Sequence, residues 1–316
     1  MLAFGGALAF LMLQPAEPVY QGRTISAWQD DWASLKPRGW PEAVQHIGTN
    51  AIPYAVRNLA RNDSVTRSSY SKLQSKLPAF LNRFFPAPKP LMKAAYLANV
   101  FYYVGSNSMP QAISSATALL KHHSPTVRQG AALAIGSLRK RSAAANPALP
   151  ALMDALADTD GMVRAFAEES IGEMGADASN SVPDLTRLLA DRGRGSQIIS
   201  LFVVRASAAH ALGRIGPSAA GSLPSLRAAM QDGDSFLRGN AAVAVWRING
   251  DVDSTLPVLL TEMATNIEYF KWDWISAIGE MGPRAKTAIP QLQNELKLDH
   301  KWILEHVTNC LKSIGP

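Results

Sequence analysis

From Arg128 onward the apolar and polar positions of the chain fall into a repeated helical phrase. It reads "RQGAALAIGSLR" from Arg128, "RAFAEESIGEMG" from Arg164, "RASAAHALGRIG" from Arg205, "RGNAAVAVWRIN" from Arg238, "KWDWISAIGEMG" from Lys271 and "LEHVTNCLKSIG" from Leu304. With the first residue as position zero, position three is Ala131, Ala167, Ala208, Ala241, Trp274 and Val307. Position seven is Ile135, Ile171, Leu212, Val245, Ile278 and Leu311, and position ten is Leu138, Met174, Ile215, Ile248, Met281 and Ile314. Spacings of three, four and seven put these side chains on one stripe of an α-helix. Position six is small throughout (Ala134, Ser170, Ala211, Ala244, Ala277, Cys310), which lets a neighbouring helix approach and makes Cys310 a packing residue.

All but the last phrase lead to a second one opening on Pro150, Pro183, Pro224, Pro257 or Pro290. Two residues later stand Leu152, Leu185, Leu226, Leu259 and Leu292, and six later Leu156, Leu189, Met230, Met263 and Leu296, the paired apolar positions of a second amphipathic helix. Proline suits the first turn because its fixed φ is helical and its missing N–H has no intrahelical acceptor there. The "IG" or "MG" before it supplies a glycine on which the first helix can end in a left-handed turn. The predicted unit is helix, glycine turn, proline-started helix and polar loop. One such pair cannot bury its apolar face alone, so the sequence predicts an all-α fold, an α-solenoid of stacked antiparallel helix pairs.

The pattern resembles the HEAT repeat, particularly its short form in the phycobilisome-lyase group and in bacterial scaffold proteins. The residues carrying the likeness are "TVR" at 126–128, "MVR" at 162–164, the "AAxALGxIG" helix clearest at Ala208–Gly216, and the proline-started partner helices. The clear match spans residues 128–316. Weaker copies stand upstream at "AVQHIGTNAIPYAVRNL" from Ala43 and "AAYLANVFYYVGSNSMP" from Ala94. "EPVYQGRTISAW" from Glu17 is similar to the leader of a group of exported bacterial HEAT-repeat proteins. The expected division is a signal-like or anchor segment over 1–16, divergent repeats over 17–127 and regular repeats over 128–316.

Register exposes two irregularities. Arginine (or its equivalent) to proline is 19 residues in the units from Arg164, Arg205, Arg238 and Lys271, and proline to the next unit is 14 except from Pro183 to Arg205, where it is 22. Eight residues are thus inserted within 191–204, in "DRGRGSQIISLFVVR". The first unit is three residues longer, around "RKRSAAAN". Insertions in repeat arrays go to loops, often on the binding face, although loop length costs little entropy and drift alone would serve. Arg192 and Arg194 are therefore candidate binding residues.

Charge refines this picture. The net charge is +6, but residues 1–127 hold 12 basic and 5 acidic side chains, and the remainder 19 and 20. Arg61, Arg67, Lys72, Lys76, Arg83, Lys89 and Lys93 face only Asp63, a surface that would attract nucleic acid or anionic lipid if it is not simply a solvated face. The start, "MLAFGGALAFLML", is 13 uncharged residues. As a helix it would reach roughly 20 Å, short of a hydrocarbon core of about 30 Å. It reads as the apolar core of a secretory signal without its basic flank, or as a short anchor, or as a buried first helix. The expectation is an exported, periplasmic or membrane-associated location, with a cytoplasmic one left open. Cys310 is the single cysteine, so no intramolecular disulfide forms.

Signatures of catalysis are lacking. The six histidines form no H-E-x-x-H and no paired His-Glu dipeptides of the kind HEAT-repeat metalloenzymes use for iron, so no metal site, catalytic residue or small-molecule cofactor is expected. Glu168, Glu169 and Glu173 recur in one helix and read as a solvated face. Arg128, Arg164, Arg205 and Arg238 invite reading as an anion-binding ladder. The simpler expectation pairs them with loop acids such as Asp160 or Asp234, or with helix-end carbonyls, to hold register.

Positions one, five and eight share a side, about 40° and 20° apart on the helical wheel. In neighbouring units that side carries His210, then Trp246 in place of a glycine, then Trp272. The tryptophans either anchor a partner on an outward stripe or fill an inter-repeat groove near Tyr269 and Phe270. The expected function is a non-enzymatic scaffold that binds another macromolecule, a protein first, through Trp246, Trp272, His210, Arg192 and Arg194. The resemblance leaves two alternatives, a nucleic-acid-binding protein of the DNA-alkylation-repair type and a lyase or chaperone.

Overall fold

The computed structural model describes residues 17–28, 39–60, 94–104, 109–191, 198–265, 271–296 and 301–315. It opens on a two-stranded antiparallel hairpin, β1 (Val19–Tyr20) and β2 (Arg23–Thr24), turning at Gln21 and Gly22, both with positive φ. The hairpin packs on α1 (Trp40–Ile47), with the Tyr20 ring 4.7 Å from that of His46. Two shorter pairs follow: α1 with α2 (Ala51–Ala60), joined at Gly48, and α3 (Ala94–Tyr103) with α4 (Met109–Leu119).

The regular units come next. Their first helices are α5 (Pro125–Arg139), α7 (Gly161–Gly172), α9 (Ile198–Ile215), α11 (Ser235–Asn249), α13 (Lys271–Glu280) and α15 (Lys301–Ile314). Their second helices are α6 (Leu149–Ala155), α8 (Val182–Leu188), α10 (Leu223–Ala229), α12 (Val252–Thr265) and α14 (Ile289–Glu295). The all-α solenoid is thus the fold of the protein. Positions three, seven and ten of the phrase are buried, apart from the partly buried Leu311 of the last unit. The leucines and methionines of the second helices close the core from the other side, and of them Leu296 alone is exposed.

Helix boundaries follow the local chemistry. The side chains of Ser124, Asp160 and Asp234 accept backbone N–H groups of the first turns of α5, α7 and α11, at 3.2, 2.9 and 2.9 Å. Gly175, Gly216, Gly250 and Gly282 take positive φ where first helices end, as their place in the phrase predicts. Pro150, Pro183, Pro224 and Pro290 sit in the first turns of α6, α8, α10 and α14. Pro257 departs from the expectation, for it lies inside α12, which begins at Val252. The connectors Gly175–Ser181, Gly216–Ser222 and Gly282–Ala288 are 3₁₀ turns. After Gly250 the Asp251 carboxylate instead accepts Ser254 N–H at 3.1 Å and starts an α-helix at once, ahead of the proline.

First helices stack directly on one another because position eight meets position six of the next unit. A Cβ on Gly172 would lie 3.0 Å from the Ala211 Cα, one on Gly213 2.9 Å from the Ala244 Cα, and one on Gly279 3.2 Å from the Cys310 Cα. Burial pushes the Cys310 thiol up to about 12, which suits a packing role. Trp246 occupies position eight in α11, and α11 touches α13 far less than α9 touches α11. Trp274, in place of the usual alanine, fills this looser junction. Its indole lies against Gly239, where a Cβ would come within 2.3 Å.

Candidate functional site

The arginines at position zero form a structural ladder. Arg128 makes two bonds to Asp158, at 2.7 and 2.8 Å, and donates backward to the carbonyls of His122 and His123. Arg164 donates to the carbonyl of Asp158 at 2.8 Å and pairs with Asp191 at 3.2 Å. Arg205 bonds the Leu189 carbonyl and Asp232, and Arg238 bonds the Asp232 carbonyl and both oxygens of Glu262. Each guanidinium therefore ties one inter-repeat turn to the next. The acids differ from the expected Asp160 and Asp234, whose carboxylates are committed to capping α7 and α11. The partners Asp158 and Asp232 stand two residues earlier, in "DTD" and "DGD", where each also accepts the N–H of the capping aspartate.

A second row of charge runs along position nine: Ser137, Glu173, Arg214, Arg247, Glu280 and Ser313. Arg214 donates to Glu173 at 2.8 Å, and Lys140 pairs with the other Glu173 oxygen at 3.1 Å. Arg247 bonds Asp273 at 3.0 Å and Glu280 at 3.0 and 3.2 Å. His210 faces the same group, its Nε2 3.7 Å from Asp273 Oδ2. Burial, with Arg214 and Arg247 nearby, holds its pKa below the ordinary value against the pull of Asp273. Glu173, Arg214, Arg247 and Glu280, with Arg139, border a polar groove of about 480 Å³ along the ends of the first helices. Aligning position nine across the phrases would have found this row in the sequence.

The opposite layer carries an apolar trough of about 570 Å³ between α4 and the connector leading into α6. Ile113, Thr117, Ala118, Pro147 and Ala151 line it, with Lys121 among its borders. Pro147 follows directly on the lengthened stretch 139–146 and lies in the connector Ala143–Ala148.

Of the predicted site residues, Trp246, Trp272 and His210 lie among the described residues, each in a different setting. Trp246 is half-buried against the core, with the Arg284 guanidinium 5.9 Å from its ring centre, so it belongs to the space between repeats and not to an outward stripe. Trp272 is 44% exposed, its ring 6.3 Å from that of His306. His210 is in the charged row. Arg192 and Arg194, the basic residues from Arg61 to Lys93, the apolar segment 1–16, and Tyr269 and Phe270 lie outside the described residues. Among the described residues, no helix is long and apolar enough to cross a membrane.

Glu168 was misread as solvated. It is fully buried, neither carboxyl oxygen has a hydrogen-bond partner, and burial raises its pKa well above the carboxylate range. It occupies position four, where the other regular units carry Ala132, Ala209, Ala242, Ile275 and Thr308, and that contrast was legible in the alignment of repeats.

The class the fold defines is a stack of helix pairs in two layers, an α-solenoid. Residues 118–196 match the HEAT repeats family. No curated protein matches it. Among solved structures it is similar to a chain in the complex of CpcE and CpcF of phycocyanin lyase from Nostoc sp. PCC7120, at 20% identity and TM-score 0.48 over 73% of this chain and 98% of that one. An engineered protein matches at 17% identity and TM-score 0.41, over 92% of this chain and 77% of that one. Human deoxyhypusine hydroxylase matches at 16% identity and TM-score 0.31, over 79% and 97%. None of these likenesses bears on activity.

Proposed function

We propose that the protein is a non-enzymatic scaffold that binds a partner polypeptide along its repeat array, outside the cytoplasm or at a membrane. The trough between α4 and α6 carries the reading. It is apolar, preformed by helices, and bordered by Pro147, where the corresponding register positions of other units carry Asn180, Gly221 and Thr287. Exposed Trp272 offers a second anchor toward the other end of the array. The location rests on the apolar sequence 1–13.

The test is cross-linking and capture from native extract, with mass spectrometry, using the parent chain, Ala118→Arg and Trp272→Ala. Ala118 is exposed and lines the trough, so arginine there fills the space without entering the core. The expected result is a partner cross-linked beside the trough, lost with Ala118→Arg and weakened with Trp272→Ala. Equal capture by all three chains, with cross-links elsewhere, overturns the proposal.

A further inference from the structure

Resting on the reading of the trough as a partner site, we infer that it takes a bulky apolar side chain with a carboxylate beside it, so that the bound segment is an acidic peptide. One wall is a single face of α4, on which Pro110, Ser114, Thr117, Ala118 and Lys121 recur at helical spacing. Pro147 and Ala151 stand across from it. From Pro110 to Lys121 the rise of a helix gives about 16 Å, the length of an extended segment of roughly five residues. The lining is uncharged along that run until Lys121, which follows the last turn of α4. The volume of about 570 Å³ lies within the range of about 300–1,000 Å³ found for ligand sites.

Charge decides what accompanies the apolar side chain. Lys121 is exposed, and among the described residues its ammonium has no ion pair or hydrogen bond. Other bases of the first regular unit are committed, Arg128 to Asp158, Arg139 to Asp177 and Lys140 to Glu173. A carboxylate brought to Lys121 therefore displaces no acid of the fold. The sequence around the trough supplies no competitor either, since residues 43–153 carry 13 basic side chains and one acid, Asp63. Asp154, the acid of α6, is not among the lining residues. The field over this part of the array attracts an acidic chain. A nucleic acid or lipid surface fits less well, because the lining offers one cation and no arginine, and its apolar remainder needs a side chain to fill it.

Selection of a random twelve-residue peptide library against the parent chain, Ala118→Gln and Lys121→Glu tests the inference. Both replaced side chains are exposed, so the fold should tolerate them, and thermal melts check that. The parent should enrich peptides with a bulky apolar residue close to Asp or Glu, and Ala118→Gln, which fills the trough without adding charge, should lose them. Lys121→Glu should keep the apolar residue and exchange the acids for Lys or Arg. In fluorescence anisotropy it should weaken a labelled acidic peptide selected by the parent by about fivefold or more. The inference is overturned if the parent's peptides show no acidic preference, if Lys121→Glu selects the same acids, or if phosphatidylserine vesicles bind the parent and lose it on Lys121→Glu. Peptides that still depend on Ala118 but ignore Lys121 would leave the scaffold reading standing. Enrichment no greater than that of Ala118→Gln would remove both.

Discussion

Replacing Glu168 by methionine should stabilise the protein, and more so at alkaline pH. The side chain is fully buried, and both oxygens lack partners. A buried neutral polar group without a hydrogen bond costs about 1–3 kcal/mol in protein substitutions. Methionine nearly conserves the volume and removes both polar atoms, so little is given back as cavity or strain. Ionisation adds a pH-dependent part. Burial is the main cause of the raised pKa, Asp191 adds to it, and Arg164 opposes it. The folded state therefore holds the Glu168 proton to higher pH than the unfolded state does. Stability is full below the unfolded value and falls by about 1.4 kcal/mol per pH unit from there until the folded pKa is passed. Urea denaturation of the parent and Glu168→Met from pH 4 to pH 9, followed by helical circular dichroism, measures both effects. The variant should be more stable throughout, with the gap widening as pH rises. A variant less stable than the parent at pH 8, or a gap independent of pH, refutes the reasoning.

Arg128→Met should destabilise the first regular unit by about 3 kcal/mol, because it leaves the largely buried Asp158 carboxylate uncompensated and removes the donor to the His122 and His123 carbonyls. Hydrogen exchange should show the loss concentrated at the α5 start, and uniform behaviour along the array would contradict the ladder. Gly213→Ala should cost about 1–3 kcal/mol despite alanine's better helix propensity, since the new methyl would lie 2.9 Å from the Ala244 backbone. Gly221→Ala, with nothing within 4 Å, should be near neutral in the same thermal melts, and an equal loss at both sites would remove the close-packing argument.

The repeat phrase alone was enough to determine the helix pairs, the buried stripe, the glycine ends and the close approach at position six, because helical period and stacking demand those residue types locally. Even the pairing acids were within reach, since "DTD" and "DGD" recur at one register position. The choice within each motif was tertiary: the second aspartate caps its own helix, so the first is left for the arginine of the stack. Similarly, Trp246 and Trp272 look equivalent on a helical wheel. Only the stacking direction, which turns position eight toward the next unit, buries one against the core and leaves the other exposed. A wheel knows a helix's own faces but not its neighbours. For the same reason the burial of Glu168, the trough beside Pro147 and the pairing of Arg214 with Glu173 and of Arg247 with Asp273 and Glu280 were decided where helices distant in sequence meet.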